Sequence, residues 1–130
     1  MTSWSTWSNG NADADFTEPK APRTGSLNLT HWKSTAYQVY TYQTVTGLAN
    51  GNYTLKAYVT SSGGHNQCQM QTQNFGGGIK MTKDITTNAA YAQISILNIN
   101  VTNGQCEIGF WSDGNAGNWL SVDDIQFYKQ

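Results

Sequence analysis

The sequence predicts an all-β chain, an antiparallel β-sandwich of about nine strands, and three observations carry that expectation. Apolar and polar residues alternate at a period of two, most cleanly in Tyr53-Thr54-Leu55-Lys56-Ala57-Tyr58-Val59, where Tyr53, Leu55, Ala57 and Val59 point inward. Turn signals punctuate such runs at short intervals: Gly47, Asn50-Gly51, Ser62-Gly63-Gly64, Gly76-Gly77-Gly78, Asn103-Gly104 and the stretch from Gly114 to Gly117. No segment carries a helical period. Short strands joined by tight turns, with no crossover helices between them, pair with their neighbours as antiparallel sheets.

The elements follow in order. Ala12–Glu18 is the first candidate strand and holds Asp13, Asp15 and Glu18. Ser26–Trp32 is next, with Leu27, Leu29 and His31 on one phase and Asn28, Thr30 and Trp32 on the more polar one. Tyr37–Thr46, Tyr53–Val59, Asn66–Phe75, Ile79–Ile85, Tyr91–Val101, Gln105–Ser112 and Leu120–Tyr128 complete the set. Between Ile94 and Val101 the apolar phase switches from Ile94 and Ile96 to Leu97, Ile99 and Val101, which predicts a bulge or a strand bend. Residues 1–8 read as a partly mobile end, although Trp4 and Trp7 argue for packing there. Cys68 shares the phase of Met70, and Cys106 that of Ile108 and Phe110, so both point inward, either as small buried hydrophobes or as a disulfide.

Composition narrows the function. The 130 residues fit a single domain, 1–130. Only 12% of them are charged, against about 25% in an average domain. A net charge of -1 and the lack of any Lys/Arg run argue against nucleic acid or an anionic membrane as partner. No apolar stretch reaches the ~18 residues of a membrane span, and no signal peptide is evident, so Met1 reads as the start of an excised module. Five tryptophans among neutral polar side chains suit a neutral polyhydroxylated ligand. No P-loop, HExxH, Cys-nucleophile or Ser-His-Asp pattern is present, and carboxylate pairs such as Asp113 with Asp123 lack an acid/base context. A binding module is expected, not an enzyme.

The closing segment Gly109 to Lys129 is the most telling. A Gly/Asn-rich loop leads to Trp119, and Asp123-Asp124 opens the terminal strand. Two adjacent carboxylates there need water, hydrogen bonds or a cation. A pyranose packs its C–H face on a flat aromatic while directed polar groups fix its hydroxyls. Trp119 is the leading platform, with a core plug as its alternative; Trp32, on the more polar phase at a strand end, is the second; Trp111 is either ligand-facing or half-buried, and Trp7 either a loop aromatic or a closure of the barrel end. Arg23, His65, Asn66, Asn115 and Asn118, in expected loops, supply hydrogen bonds, whereas His31 and His65 are either ligand contacts or structural histidines. Tyr40, Tyr42 and Tyr58 share the outward phase of their strands, which makes a sandwich face the rival location.

The run Tyr37 to Val59 resembles the Q-x-x-x-G-L-x-x-G-x-Y-x-L-x-A strand pair of galactose-binding-like carbohydrate-binding modules. Asn100 to Phe110 and Trp119…Asp123-Asp124 resemble the closing strands of the same modules. Leu29-Thr30-His31-Trp32, Ser62-Gly63-Gly64-His65 and Ala116-Gly117-Asn118-Trp119 look most like carbohydrate-binding module family 61. The resemblance implies a two-sheet jelly roll, a sugar site on loops at one end, and a structural calcium ion. It also implies β-1,4-galactan as ligand and a covalently linked glycoside hydrolase, in a secreted and monomeric module. Xylan or a β-glucan is the alternative polysaccharide, and an adhesion or protein-interaction domain the alternative class. In one respect the chain departs from the pattern: the acidic calcium ligand of the superfamily's first strand falls upstream of this chain's start. Asp123 is therefore the first calcium candidate and Asp124 the second, with the N-terminal acids open.

Overall fold

The computed structural model describes residues 4–10, 12–18, 28–86 and 88–130. Among the described residues the period-two pattern becomes ten strands: β1 (Ser5–Ser8), β2 (Asp15–Glu18), β3 (Asn28–Trp32), β4 (Tyr37–Thr46), β5 (Gly51–Ser61), β6 (Gln67–Gln73), β7 (Met81–Asp84), β8 (Asn88–Val101), β9 (Gln105–Gly114) and β10 (Trp119–Lys129). Among the described residues one 3-10 turn, Ala12–Ala14, precedes β2. The first sheet has the order β1-β4-β9-β6-β7 and the second the order β2-β3-β10-β5-β8. Every pairing is antiparallel. An antiparallel sandwich follows from the alternation, because each strand gives one face to the interior and the other to water.

The interior holds the residues that the alternation turns inward. Leu55, Ala57 and Val59 of β5 meet Met70 of β6, Ile108 and Phe110 of β9, and Leu120 and Val122 of β10. Each of these side chains except Ala57 contributes about 1.5–3 kcal/mol by leaving water. The phase switch in β8 is a bulge. Asn98 takes φ 58 there, and the register against β5 slips between Tyr53 and Leu55, returning Ile99 and Val101 to the core.

Several expectations change. Residues 5–8, where no strand was expected, form β1, paired with β4 from Ser5↔Tyr42 to Ser8↔Val39, since four residues are too few to show a period; residues 1–3 of the stretch lie outside the described residues. Cys68 and Cys106 are both buried free thiols. Cys68 pairs with Ser112, six residues along β9 from Cys106, a separation of about 20 Å that no disulfide spans. Tyr58 lies on β5 in the second sheet, whereas Tyr40 and Tyr42 lie on β4 in the first, so the three do not line one face.

His31 requires the largest correction as a ligand contact. It is completely buried between the sheets. Its Nδ1 is 2.8 Å from Ser112 Oγ and its Nε2 is 2.8 Å from Thr41 Oγ1, so both ring nitrogens are satisfied by the opposite sheet. Burial, with the nearby His65 adding to it, pulls its pKa down to about 3 and keeps the ring neutral. Asp15 stands 3.8 Å from Nε2 and accepts a hydrogen bond from Thr6 Oγ1; burial raises its pKa against that bond. Hydroxyl, imidazole and carboxylate thus come together between the sheets and join them, with the carboxylate held from the other side by the exposed Thr6.

Candidate functional site

One end of the second sheet gathers most of the expected ligand residues. Trp119 opens β10 and is the direct register partner of Trp32, the last residue of β3. Their neighbours Leu120 and His31 point into the core, so both tryptophans project from the outer face. Trp32 is 43% exposed and Trp119 half-buried. The row extends to Ser62: its N–H donates to Trp119 O (3.1 Å), and Trp119 N–H donates to Ser62 Oγ (2.9 Å). Trp119 is therefore held on both flanks, by the ladder to Trp32 and by the two bonds to Ser62, which favours a rigid platform.

Three loops frame that platform. Asn115 Nδ2 donates to Gly64 O (2.9 Å), tying the β9–β10 loop to the β5–β6 loop. Asn115 N–H donates to Asn118 Oδ1 (2.8 Å), and Gly117 N–H donates to Lys33 O (2.8 Å) of the β3–β4 turn. From beneath, the buried Tyr37 hydroxyl donates to Asn118 O (2.9 Å). Gly64 has φ +82, and a Cβ there would stand 3.0 Å from Asn118 Nδ2; glycine lets the two loops approach. Asn66 N–H donates to Asp113 O (2.9 Å).

His65 completes this end. Its Nε2 is buried and makes no hydrogen bond among the described residues. Burial lowers its pKa, opposed by Asp113. A pocket of about 470 Å³ opens beside it, lined by Asn66, Gln67, Asp84 and Ile85 among others. Trp32, Trp119, His65, Asn66, Asn115 and Asn118 thus share one end of the sandwich. Arg23 lies outside the described residues. Trp7 and Trp111 belong elsewhere, on the outer face of the first sheet, where their rings meet at 5.8 Å. Ser62 and Tyr37 are supports that the sequence reading missed: Ser62 reads as a turn residue, and Tyr37 as one more strand tyrosine.

Asp123 and Asp124 form a bulge in β10. Asp124 has φ 50, the register against β5 shifts between Asp123 and Gln126, and Asp124 N–H donates to Asp123 Oδ1 (2.8 Å). Among the described residues no three His, Cys, Asp or Glu side chains gather into a metal site. Asp113 follows the inward Ser112 on the first sheet and Asp123 follows the inward Val122 on the second, so the two carboxylates face outward on opposite sides.

Comparison with known proteins places the fold. No protein-family model matches the chain. A family 61 carbohydrate-binding module, TmCBM61, solved in complex with β-1,4-galactotriose, superposes with TM-score 0.86 at 18% identity, covering 99% of this chain and 90% of that one. The xylan-binding CBM22-1 domain of Xyn10C from Paenibacillus barcinonensis gives TM-score 0.66 at 12% identity, covering 100% and 88%. The family 11 module from Clostridium thermocellum, in complex with a β-1,3-1,4-mixed-linked tetrasaccharide, gives 0.63 at 15%, covering 99% and 90%. Among curated proteins, a 1,6-α-glucosyltransferase of Sporosarcina globispora is 30% identical over 114 residues, which are 86% of this chain. The chain spans only 9% of that protein's length.

Proposed function

We propose that this chain, which has the fold of the galactose-binding-like carbohydrate-binding modules, is itself a non-catalytic module that binds a neutral polysaccharide. The observation that carries the proposal is the in-register pair Trp32 and Trp119, held at one end of the sandwich inside a frame of asparagine-bearing loops. Flat aromatics supply the surface for the C–H faces of sugar rings, and neutral amides beside them supply directed hydrogen bonds at little desolvation cost. In a larger secreted protein such a module raises the effective concentration of an attached enzyme at its substrate.

The favoured ligand is β-1,4-galactan, on the residue-level resemblance to family 61 and the likeness to TmCBM61. A second reading, an α-glucan, is favoured by the match to part of a 1,6-α-glucosyltransferase. Calorimetric titration with β-1,4-galacto-, xylo-, cello- and isomalto-oligosaccharides separates them. Trp119→Ala is expected to cost about 2 kcal/mol of binding, roughly thirtyfold in Kd, with the melting temperature nearly unchanged. A folded variant that binds as tightly as the parent would remove Trp119 from the site.

A structural calcium ion at Asp123 remains a narrower proposal. The described carboxylates and histidines alone do not build such a site, so backbone carbonyls and residues beyond the described set would have to complete it. Under the calcium reading, chelation lowers the melting temperature and added calcium restores it. A melting curve indifferent to both would end the calcium assignment.

A further inference from the structure

The outer face of the first sheet carries a second aromatic row, distinct from the platform just described. Trp7, Tyr40, Trp111 and Gln69 are successive register partners across β1, β4, β9 and β6, so their side chains lie on one face. Three strand spacings of ~4.8 Å make the row about 14 Å long, enough for several consecutive sugar rings. Trp7 is 49% exposed and leans against Trp111 at an interplanar angle of 39°. The Trp111 ring is fixed by its Nε1–H, which donates to Gln67 Oε1 (2.9 Å).

Tyr40 forms the floor between them. A Cβ on Gly109 would come within 2.5 Å of its ring, so glycine is what lets the ring lie against the backbone of β9. The Tyr40 hydroxyl donates to Glu107 Oε2 (2.8 Å), and Gln73 and Asn74 donate to the same carboxylate. Glu107 is thereby engaged within the sheet, which leaves Lys80 as the charged residue lining the groove.

A groove of about 300 Å³ runs between the aromatics and the amides of Gln67, Gln71 and Gln73. Gln67 uses its carbonyl on Trp111, and Gln71 donates through Nε2 to Gln69 Oε1 (3.0 Å). The amide N–H groups of the exposed Gln67 remain for a ligand, whereas Gln71 is buried and shapes the wall. The aromatics adjoin one another, Trp7 against Trp111 and Tyr40 against Tyr42, and the amides of β6 border them along one side, an aromatic surface edged by hydrogen-bonding groups that suits hydroxylated rings. Across the sandwich, His31 on β3 is hydrogen-bonded to Ser112 on β9 and Thr41 on β4. The residues adjoining them in sequence are Trp32, Trp111 and Tyr40, so the two aromatic rows stand back to back.

We propose that this face is a second glycan-binding site, one that takes an internal segment of an extended neutral polysaccharide, so that one module holds two chain segments on opposite faces. It rests on the reading that the protein binds glycan at all, and the experiment separates the two. The full chain is run in native gels containing β-1,4-galactan, xylan, mixed-linkage β-glucan or dextran, beside Trp32→Ala/Trp119→Ala and that double variant with Trp7→Ala added. The double variant is expected to be retarded by at least one polysaccharide, about fivefold more weakly than the parent, and the Trp7→Ala addition to abolish the remainder. In the double variant, a hexasaccharide of the retarding polysaccharide should move the indole N–H resonances of Trp7 and Trp111. Trp111→Ala gives a second handle should Trp7→Ala disturb β1, and is expected to weaken the residual retardation. Complete loss of retardation in a folded double variant, or unmoved Trp7 and Trp111 resonances, overturns the second site and leaves the first standing. A parent retarded by none of the gels overturns both.

Discussion

The two tryptophan rows use the same chemistry and are supported differently. Trp32 and Trp119 are nearest neighbours on adjacent strands, and the groups around them come from loops: Asn115 and Asn118, Gly64, His65 and Asn66. Trp7 and Trp111 stand two strands apart, with Tyr40 between them, and the groups around them come from strand positions: Gln67, Gln71 and Gln73 of β6. Loop geometry changes with a single insertion, while a ladder fixes spacing at multiples of the strand separation. The loop-framed row is therefore suited to discriminating one sugar from another. The sheet-borne row is suited to holding a chain of regular repeat whatever its substituents.

The largest expected effect tests what the two rows share. His31→Ala removes hydrogen bonds to Ser112 and Thr41, leaves both hydroxyls buried, and opens a cavity between the sheets. The cost should be about 3 kcal/mol of stability, read by urea unfolding. The same residue sets a pH dependence. Its folded pKa is depressed to about 3 from 6.5, so below pH 6.5 the unfolded chain binds a proton that the folded chain refuses. Stability is full above pH 6.5 and falls as the pH drops towards 3. Asp15 has the opposite sign: its pKa is raised by burial, so protonating it favours the folded state and offsets part of the loss. Melting temperature between pH 7.5 and 4 should fall more steeply for the parent than for His31→Ala. Parallel slopes would mean that the buried imidazole does not govern acid stability.

Legibility in the sequence follows the same division between ladder and loop. The inward phase of β5, the limits of β4 at Tyr37 and Thr46, and the bulge in β8 were all readable, because each is a local consequence of period-two alternation or of its interruption. Trp32 and Trp119 could be singled out one at a time, but their pairing could not, since register between β3 and β10 joins residues 87 positions apart. The choice between a ligand-contacting and a structural His31 stays open in the sequence for a related reason. The phase placed it with Leu29 on the inner face, and a histidine there looks available until Ser112 and Thr41 arrive from the opposite sheet. The glutamine series of β6 was visible as letters only. It becomes a groove wall once β9 lays Trp111 beside Gln69 and β1 adds Trp7 two strands away.

The smallest effect sharpens the division most. Asn115→Ala removes the side chain that ties the β9–β10 loop to Gly64 O and reaches Asn66 Oδ1 at 3.4 Å, yet leaves every ladder intact. The residue is exposed, so no core contact is lost and the melting temperature should hold. A freed loop must be ordered again when sugar binds, an expense of about 1 kcal/mol, or roughly fivefold in Kd for oligosaccharides at the loop-framed row. The sheet-borne row takes no support from Asn115, so the residual retardation of Trp32→Ala/Trp119→Ala in polysaccharide gels should be unchanged when Asn115→Ala is added. Equal weakening in both assays would mean that loop and sheet positions act as one site. Weakening in the oligosaccharide titration alone would mean that selectivity resides in the loops, independently of the ladder behind them.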